Sequence, residues 1–327
     1  MFDEAALREV WYGGKPPGLA LRALAVLYGA LSGARRGLYA AGALGSRTLA
    51  VPVIVVGNVA VGGTGKTPLT IALVDALRRR GYTPGVASRG FGGSAAGPRR
   101  VLAGDDPAEV GDEPLLIAEA TGAPVAIARR RAEAGALLVA AGVDVVVADD
   151  GLQHYPLARN VEICVIDGER RFGNGRLLPA GPLREPPGRA VRADFRICNG
   201  GAPAPGETAM HLAGTTALAL GGGETRPLSA FARAHAVAGI GHPERFFALL
   251  RAQGCEAIPH AFPDHHAFRA GELDFADGLP VLMTAKDAVK CRSFARPGWW
   301  SVPVRAELPE TFFDEVVTAL KKNRRSD

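Results

Sequence analysis

The run Ala60-Val61-Gly62-Gly63-Thr64-Gly65-Lys66-Thr67 has the residue types and spacing of a phosphate-binding loop. Glycines let successive backbone N–H groups turn inward onto phosphate oxygens, where a Cβ would obstruct. Lys66 then reaches the β and γ phosphates, and the Thr67 hydroxyl ligates Mg2+. The strict pattern opens with Gly, and Ala60 stands in that place. Asp149-Asp150 follows the apolar run Val145–Ala148, where P-loop enzymes hold their magnesium shell. One carboxylate suffices for that shell, so the second is free to act on a nucleophile; for either, a helix cap or turn is the plain alternative. Gly111-Asp112-Glu113-Pro114 begins a helix, and a carboxylate there can face a γ-phosphate, with capping as its alternative. Pro263-Asp264-His265-His266 offers an imidazole that could cross a cleft to Asp112, or a surface histidine pair.

These side chains need elements to hold them. Val53-Ile54-Val55-Val56 reads as a buried strand, and Pro68–Arg80 carries Leu69, Leu73, Ala76 and Leu77 at helical spacing before Gly81. Strand, loop, helix is the order the motif requires. Strand-like runs at 83–87, 125–128, 144–148 and 161–166 alternate with helical patterns. The alternation predicts an α/β fold, a P-loop NTPase-type mostly parallel sheet with helices on both faces. Ligands in such folds collect at the carboxyl ends of strands, which brings forward Ser88-Arg89-Gly90-Phe91-Gly92-Gly93 and Asp149–His154. Residues 168–192, rich in Gly, Pro and Arg, read as an ordered loop leading to a boundary near residue 200. A second, smaller α/β domain follows, with strands near 216–220, 234–238, 281–284 and 300–304 and a helix over 309–323. The expected division is an N-terminal helical segment over 1–45, a P-loop domain over 46–200 and a closing domain over 201–327.

At 327 residues, 47% hydrophobic and net charge +5, the chain has ample length for a folded core, and roughly two domains is the expectation. Its basic residues (Lys321, Lys322, Arg324, Arg325 and scattered arginines) are not interleaved with aromatics. An anionic small substrate or an acidic membrane surface therefore fits the charge better than nucleic acid. Cys164, Cys198, Cys255 and Cys291 lie far apart without zinc spacing and read as reduced core residues. No apolar run reaches the roughly 18 residues of a spanning helix. Ala23–Ala34, 12 residues between Arg22 and Arg35-Arg36, is the longest candidate. Leu21, Leu24, Leu27, Tyr28 and Leu31 recur there at helical spacing, with Trp11 and Tyr12 upstream, a pattern that fits a core helix or one lying in a bilayer interface. Asp3, Glu4 and Glu9, where a leader would be basic, and a cytosolic nucleotide site speak against a signal peptide.

Eight blocks, GNVAVGGTGKTP (57–68), SRGFGG (88–93), GDEP (111–114), DDGLQH (149–154), FGNGRLLPAGPLREP (172–186), GIGHPERFF (239–247), FPDHH (262–266) and TAKDAVK (284–290), resemble in order the tetraacyldisaccharide 4′-kinase family. That resemblance implies transfer of the ATP γ-phosphoryl group to the 4′-hydroxyl of tetraacyldisaccharide 1-phosphate, giving lipid IVA in lipid A biosynthesis. It also implies a protein peripheral to the cytoplasmic face of the inner membrane, contacting it through the N-terminal helix; a monomer is the expectation, though the sequence carries no sign of oligomeric state. On matching positions it implies Lys66 and Thr67 at the phosphates, Asp149 and Glu113 near Mg2+, and Asp112 with His265 as the base on the acceptor hydroxyl. Asp150, Gln153, His154, Arg184 and Glu185 match positions near the acceptor sugar, and Arg89 a phosphate or headgroup contact. Domain closure would assemble the site. Leu152 replaces a commoner aromatic, and His266 beside His265 leaves the acting imidazole to register.

Two other readings are weaker. A membrane-partitioning ATPase would carry a signature lysine where Val61 stands. A GTP-driven metallochaperone needs a guanine-reading motif whose spacing Thr284-Ala285-Lys286-Asp287 lacks, and a CxxC site that is absent from the sequence.

Overall fold

The computed structural model describes residues 4–323; Asp3, Arg324 and Arg325 lie outside the described residues. Two sheets organise the chain. The larger has nine strands in the spatial order Arg305–Glu307, Thr208–Ala213, Phe195–Asn199, Val161–Asp167, Val53–Gly57, Val145–Ala148, Pro84–Ser88, Val125–Ile127 and Arg99–Val101. Every pairing is parallel except those of the two outermost strands.

Strand periodicity explains how both faces are covered. Ile54, Val56, Val145 and Val147 point to one side, against Leu69, Leu73 and Leu77 of helix Lys66–Arg79 and Phe312 and Val316 of helix Glu310–Asn323. Val53, Val55, Val146 and Ala148 point to the other, against Ala134 and Leu138 of helix Arg131–Ala140 and against Leu152 and Leu183. A sheet buried on both faces reads as continuous apolar runs, which is why its central strands stand out in the sequence.

The smaller sheet orders its strands Thr225–Pro227, Thr216–Ala219, Trp299–Val302, Val281–Thr284, Arg233–Ala238 and Glu256–Ala261. The sheets therefore divide differently from a boundary at residue 200. Thr208–Ala213 extends the larger sheet, and after Val302 the chain returns to it with Arg305–Glu307 and the last helix. Glu256–Ala261 was not legible as a strand because Pro259 interrupts it, which only an edge position tolerates.

The N-terminal segment forms helices Glu4–Tyr12 and Leu19–Ala40. Leu21 and Ala25 pack on Ala180, Trp11 Nε1 donates to Pro179 O at 2.9 Å and the Tyr28 hydroxyl to Arg184 O at 3.0 Å. The apolar stripe thus splits: Leu21 faces protein, while Leu24, Leu27 and Leu31 face out, Leu31 at 64% exposure. No helix among the described residues is long and apolar enough to cross a membrane. The four cysteines are buried and unbridged.

Candidate active site

Helix Lys66–Arg79 begins directly after the glycine loop, at the carboxyl end of a central strand. Gly62 and Gly65 have φ of 106° and 93°, the left-handed region that favours glycine, and a Cβ on Gly65 would collide with Asn199. Ala60 has no such requirement. It bridges Leu183 in antiparallel fashion, with Val61 N donating to Pro182 O at 2.8 Å, so a methyl replaces the usual first glycine without strain. Asn199 Nδ2 donates to Thr64 O at 2.9 Å and Asn58 Nδ2 to Thr64 Oγ1 at 3.1 Å, which fixes the loop from the end of strand Phe195–Asn199 and from the residue following strand Val53–Gly57.

The carboxylate pair lies beside it. Asp149 is fully buried, and its Oδ1 accepts from the Thr70 hydroxyl at 3.0 Å. Burial, with Glu113 and Asp150 nearby, pushes its carboxyl up to about 7 against the opposing charge of Lys66. Asp150 is held below the ordinary carboxylate range: burial raises it, but Lys66, Arg184 and Arg131 outweigh burial. Lys66 Nζ lies 3.6 Å from Asp150 Oδ1, and Arg184 Nη1 donates to both Asp150 oxygens at 3.1 Å.

A raised folded-state pKa gives Asp149 a sign opposite to that of a salt-bridged carboxylate. Its ionised form costs folding free energy, a cost absent below the unfolded value of about 4 and complete above about 7. Asp149→Asn is expected to raise Tm by several degrees at pH 8 without divalent cation, and to leave it unchanged near pH 4. Thermal melts at both pH values check this.

Across the cleft, His265 Nδ1–H donates to Asp112 at 3.1 and 3.0 Å, while His266 turns away to Glu272 at 3.1 Å. The adjacent histidines are thereby told apart. His265 sits at φ 62°, a strained left-handed position, with the Phe91 ring 4.9 Å from its own. Burial raises the Asp112 carboxyl, but the His265 hydrogen bond and the Lys286 and Lys290 charges prevail and lower it. Burial likewise lowers His265, but the Asp112 hydrogen bond, together with the Asp112 and Asp264 charges, outweighs burial and Lys286 and raises it. The pair joins the units of the two sheets in this structure.

Of the remaining predicted residues, Gln153, Arg184 and Glu185 form a connected network on the N-terminal side. Gln153 Nε2 donates to Asn58 O at 2.9 Å and to Glu185 Oε2 at 3.1 Å, and Arg184 Nη1 reaches Gln153 Oε1 at 3.4 Å. Arg36 Nη1 of the N-terminal helix donates to Glu185 at 3.4 Å. His154 is pushed down to about 4 by burial and by Arg131, Arg159, Arg35 and Arg89, so it is neutral among arginines. Arg89 lines a separate cavity of about 190 Å³ with Arg129 and Arg130. Glu113 is held by Lys286 at 3.0 Å.

Sequence reasoning missed Lys286, Arg131 and the Arg129-Arg130 pair. Arg131 donates to the backbone oxygens of Asp149 at 3.1 Å and Asp150 at 2.7 Å, shaping the turn that carries both. The signal was present, since these arginines follow the carboxyl end of Val125–Ile127.

The profile of the Tetraacyldisaccharide-1-P 4′-kinase family matches residues 18–321. The chain belongs to this family. Tetraacyldisaccharide 4′-kinase from Xanthomonas campestris pv. campestris strain 8004 is 52% identical over 339 residues, covering 97% of each chain. The enzyme of the same name from Stenotrophomonas maltophilia strain R551-3 is 52% identical over 326 residues, covering 96% of each. The crystal structure of LpxK from Aquifex aeolicus in complex with ATP superposes with TM-score 0.76 at 27% identity, covering 92% of this chain and 98% of that one. Fold and family agree: a P-loop kinase of lipid A biosynthesis, with the tetraacyldisaccharide 4′-kinase blocks on its two facing units.

Proposed function

We infer that the chain transfers the γ-phosphoryl group of ATP to the 4′-hydroxyl of tetraacyldisaccharide 1-phosphate, giving lipid IVA. The observation that carries this is the imidazole–carboxylate pair of His265 and Asp112, 3.0 Å apart, with the adjoining Glu113 near enough to act on Asp149 together with Lys66 of the loop. A sugar hydroxyl is a poor nucleophile, and an imidazole held by a carboxylate can take its proton as the P–O bond forms. Nδ1 faces Asp112, so Nε2 is the nitrogen that receives the proton. Lys66 and the loop N–H groups hold the β and γ phosphates.

Thr67 and Asp149 suit Mg2+, which would neutralise phosphate charge. A buried carboxyl pushed up to about 7 in a cluster of three acids is a site that a cation relieves. Glu113 Oε1 is taken by Lys286 at 3.0 Å, so Glu113 acts on the cation through its charge rather than as a ligand. Asp150 and Arg184, with Gln153, His154 and Glu185, shape the acceptor side. Arg89, with Arg129 and Arg130 around their cavity, suits the acceptor's anionic 1-phosphate.

The outward Leu24, Leu27 and Leu31, flanked by Arg22 and Arg35, support seating of helix Leu19–Ala40 in the interface of an anionic membrane, the inner membrane's cytoplasmic face. The same helix holds Glu185 through Arg36, so a lipid head lifted from the bilayer meets the acceptor site directly. Leu27→Glu/Leu31→Glu is expected to weaken flotation with anionic phospholipid vesicles by about tenfold or more, each Leu contributing about 1.5–3 kcal/mol when buried, with ATP binding unchanged. Undiminished flotation would remove the helix from the membrane account. Labelled phosphate appearing on the acceptor in mixed micelles tests the reaction itself.

A further inference from the structure

Lys286 is the first-turn residue of helix Ala285–Cys291 in the second unit, and the base of that helix is rigid. Asp287, fully buried, accepts from Gly239 N at 2.9 Å and from the Thr284 hydroxyl at 2.6 Å. From this anchored position the Lys286 ammonium crosses the cleft. It donates to Glu113 Oε1 and Asp264 Oδ1, each at 3.0 Å, and lies 3.5 Å from His265 Nε2 and 4.0 Å from Asp112 Oδ2. Its side chain is 14% exposed, so water screens these contacts little.

His265 has two ring nitrogens and both are accounted for. Nδ1 faces both oxygens of an ionised carboxylate, which only accepts, so Nδ1 carries a proton. Nε2 lies 3.5 Å from the Lys286 ammonium, which only donates, and 3.9 Å from Asp264 Oδ1, whose charge Lys286 already engages at 3.0 Å; the nearer group is the cation, so a second ring proton there would meet like charge. We propose that Lys286 is a positioning residue of the transfer reaction: its ammonium reserves His265 Nε2 as an unprotonated lone pair, while its bonds to Glu113 and Asp264 hold the two units in register around the base. A salt bridge serving only to join the units would touch Glu113 and Asp264 and leave Nε2 alone.

The groups facing His265 are few. Asp112 comes from helix Asp112–Thr121, Asp264 from its own loop, Lys286 from the second unit's helix and the neutral Phe91 ring from the first unit. Lys290, 3.9 Å from Asp112 Oδ2, acts on the same carboxylate from the far side. Burial disfavours the Lys286 charge, but Glu113, Asp112 and Asp264 outweigh burial and keep it protonated through the working range.

The experiment is two-bond 1H–15N correlation on the full chain labelled at histidine, with His265→Asn identifying the signal. The wild type, above its midpoint, should show His265 as the neutral Nδ1–H tautomer. In Lys286→Met the protonation midpoint of His265 should rise by about one pH unit, with Lys286→Arg restoring it. The acid limb of kcat should move the same way, while KM for ATP stays within about twofold because Lys286 makes no contact with the phosphate loop. A wild-type Nε2–H tautomer overturns the proposal, with or without a folded variant. So does a Lys286→Met protein whose His265 midpoint is unmoved. The kinetic arm rests on the phosphoryl-transfer reading and the spectroscopic arm does not, so failure of one is distinguishable from failure of the other.

Discussion

Lys66→Ala is expected to reduce turnover by about two to three orders of magnitude, the loss seen when one preorganised donor to developing charge is removed. In the structure Lys66 follows the glycine loop directly, 12% exposed and 3.6 Å from Asp150. Its removal withdraws charge from the phosphates and from the carboxylates together, since it is a lowering influence on both Asp149 and Asp150. Arg184 still holds Asp150, so the fold survives and the loss falls on chemistry and ATP affinity. Single-turnover kinetics with ATP titration checks this; a variant that keeps wild-type kcat would show that the loop holds phosphate through backbone alone.

Asp112→Ala is expected to lower kcat by about two to four orders of magnitude, the span of positioned general-base catalysis. The variant leaves His265 without its orienting acceptor and strands Lys286 and Lys290 facing no shared carboxylate. It also loses stability. Asp112 has a depressed pKa, so its contribution is present above the unfolded carboxylate value and fades as pH falls through the folded one. Asp112→Asn separates the two effects. Its amide oxygen still accepts from Nδ1–H and holds the ring, but the charge is gone, so kcat still falls with less change in Tm. Melting curves alongside kcat at pH 8 measure both.

Much of this was legible because local chemistry and fold coincide. Gly62 and Gly65 are glycines for their φ, and the runs at Val53 and Val145 are continuous because both faces of the sheet are covered. The aspartates at 149 and 150 could be placed at a strand's end, but their opposite shifts could not, since these arise from Lys66, Arg184 and Arg131 converging from separate elements. Likewise the pairing of Asp112 with His265 spans 153 positions, and spacing carries no information at that range. It came from family resemblance, and the structure adds which histidine faces the carboxylate. Lys286 stood inside a quoted block with no role, because its partners lie on a loop and on the opposite unit. The return of Arg305–Glu307 to the first sheet was hidden for a simpler reason: three residues with charged ends give no strand pattern.

Transfer of γ-labelled phosphate from ATP to tetraacyldisaccharide 1-phosphate in mixed micelles, with Asp112→Ala and His265→Ala beside the wild type, tests the central claim most directly. Labelled lipid from the wild type, and at least about a hundredfold less from either variant, is the predicted result. Both folded variants labelling lipid at the wild-type rate would contradict the account, leaving the Asp112–His265 pair as a strut between the two units.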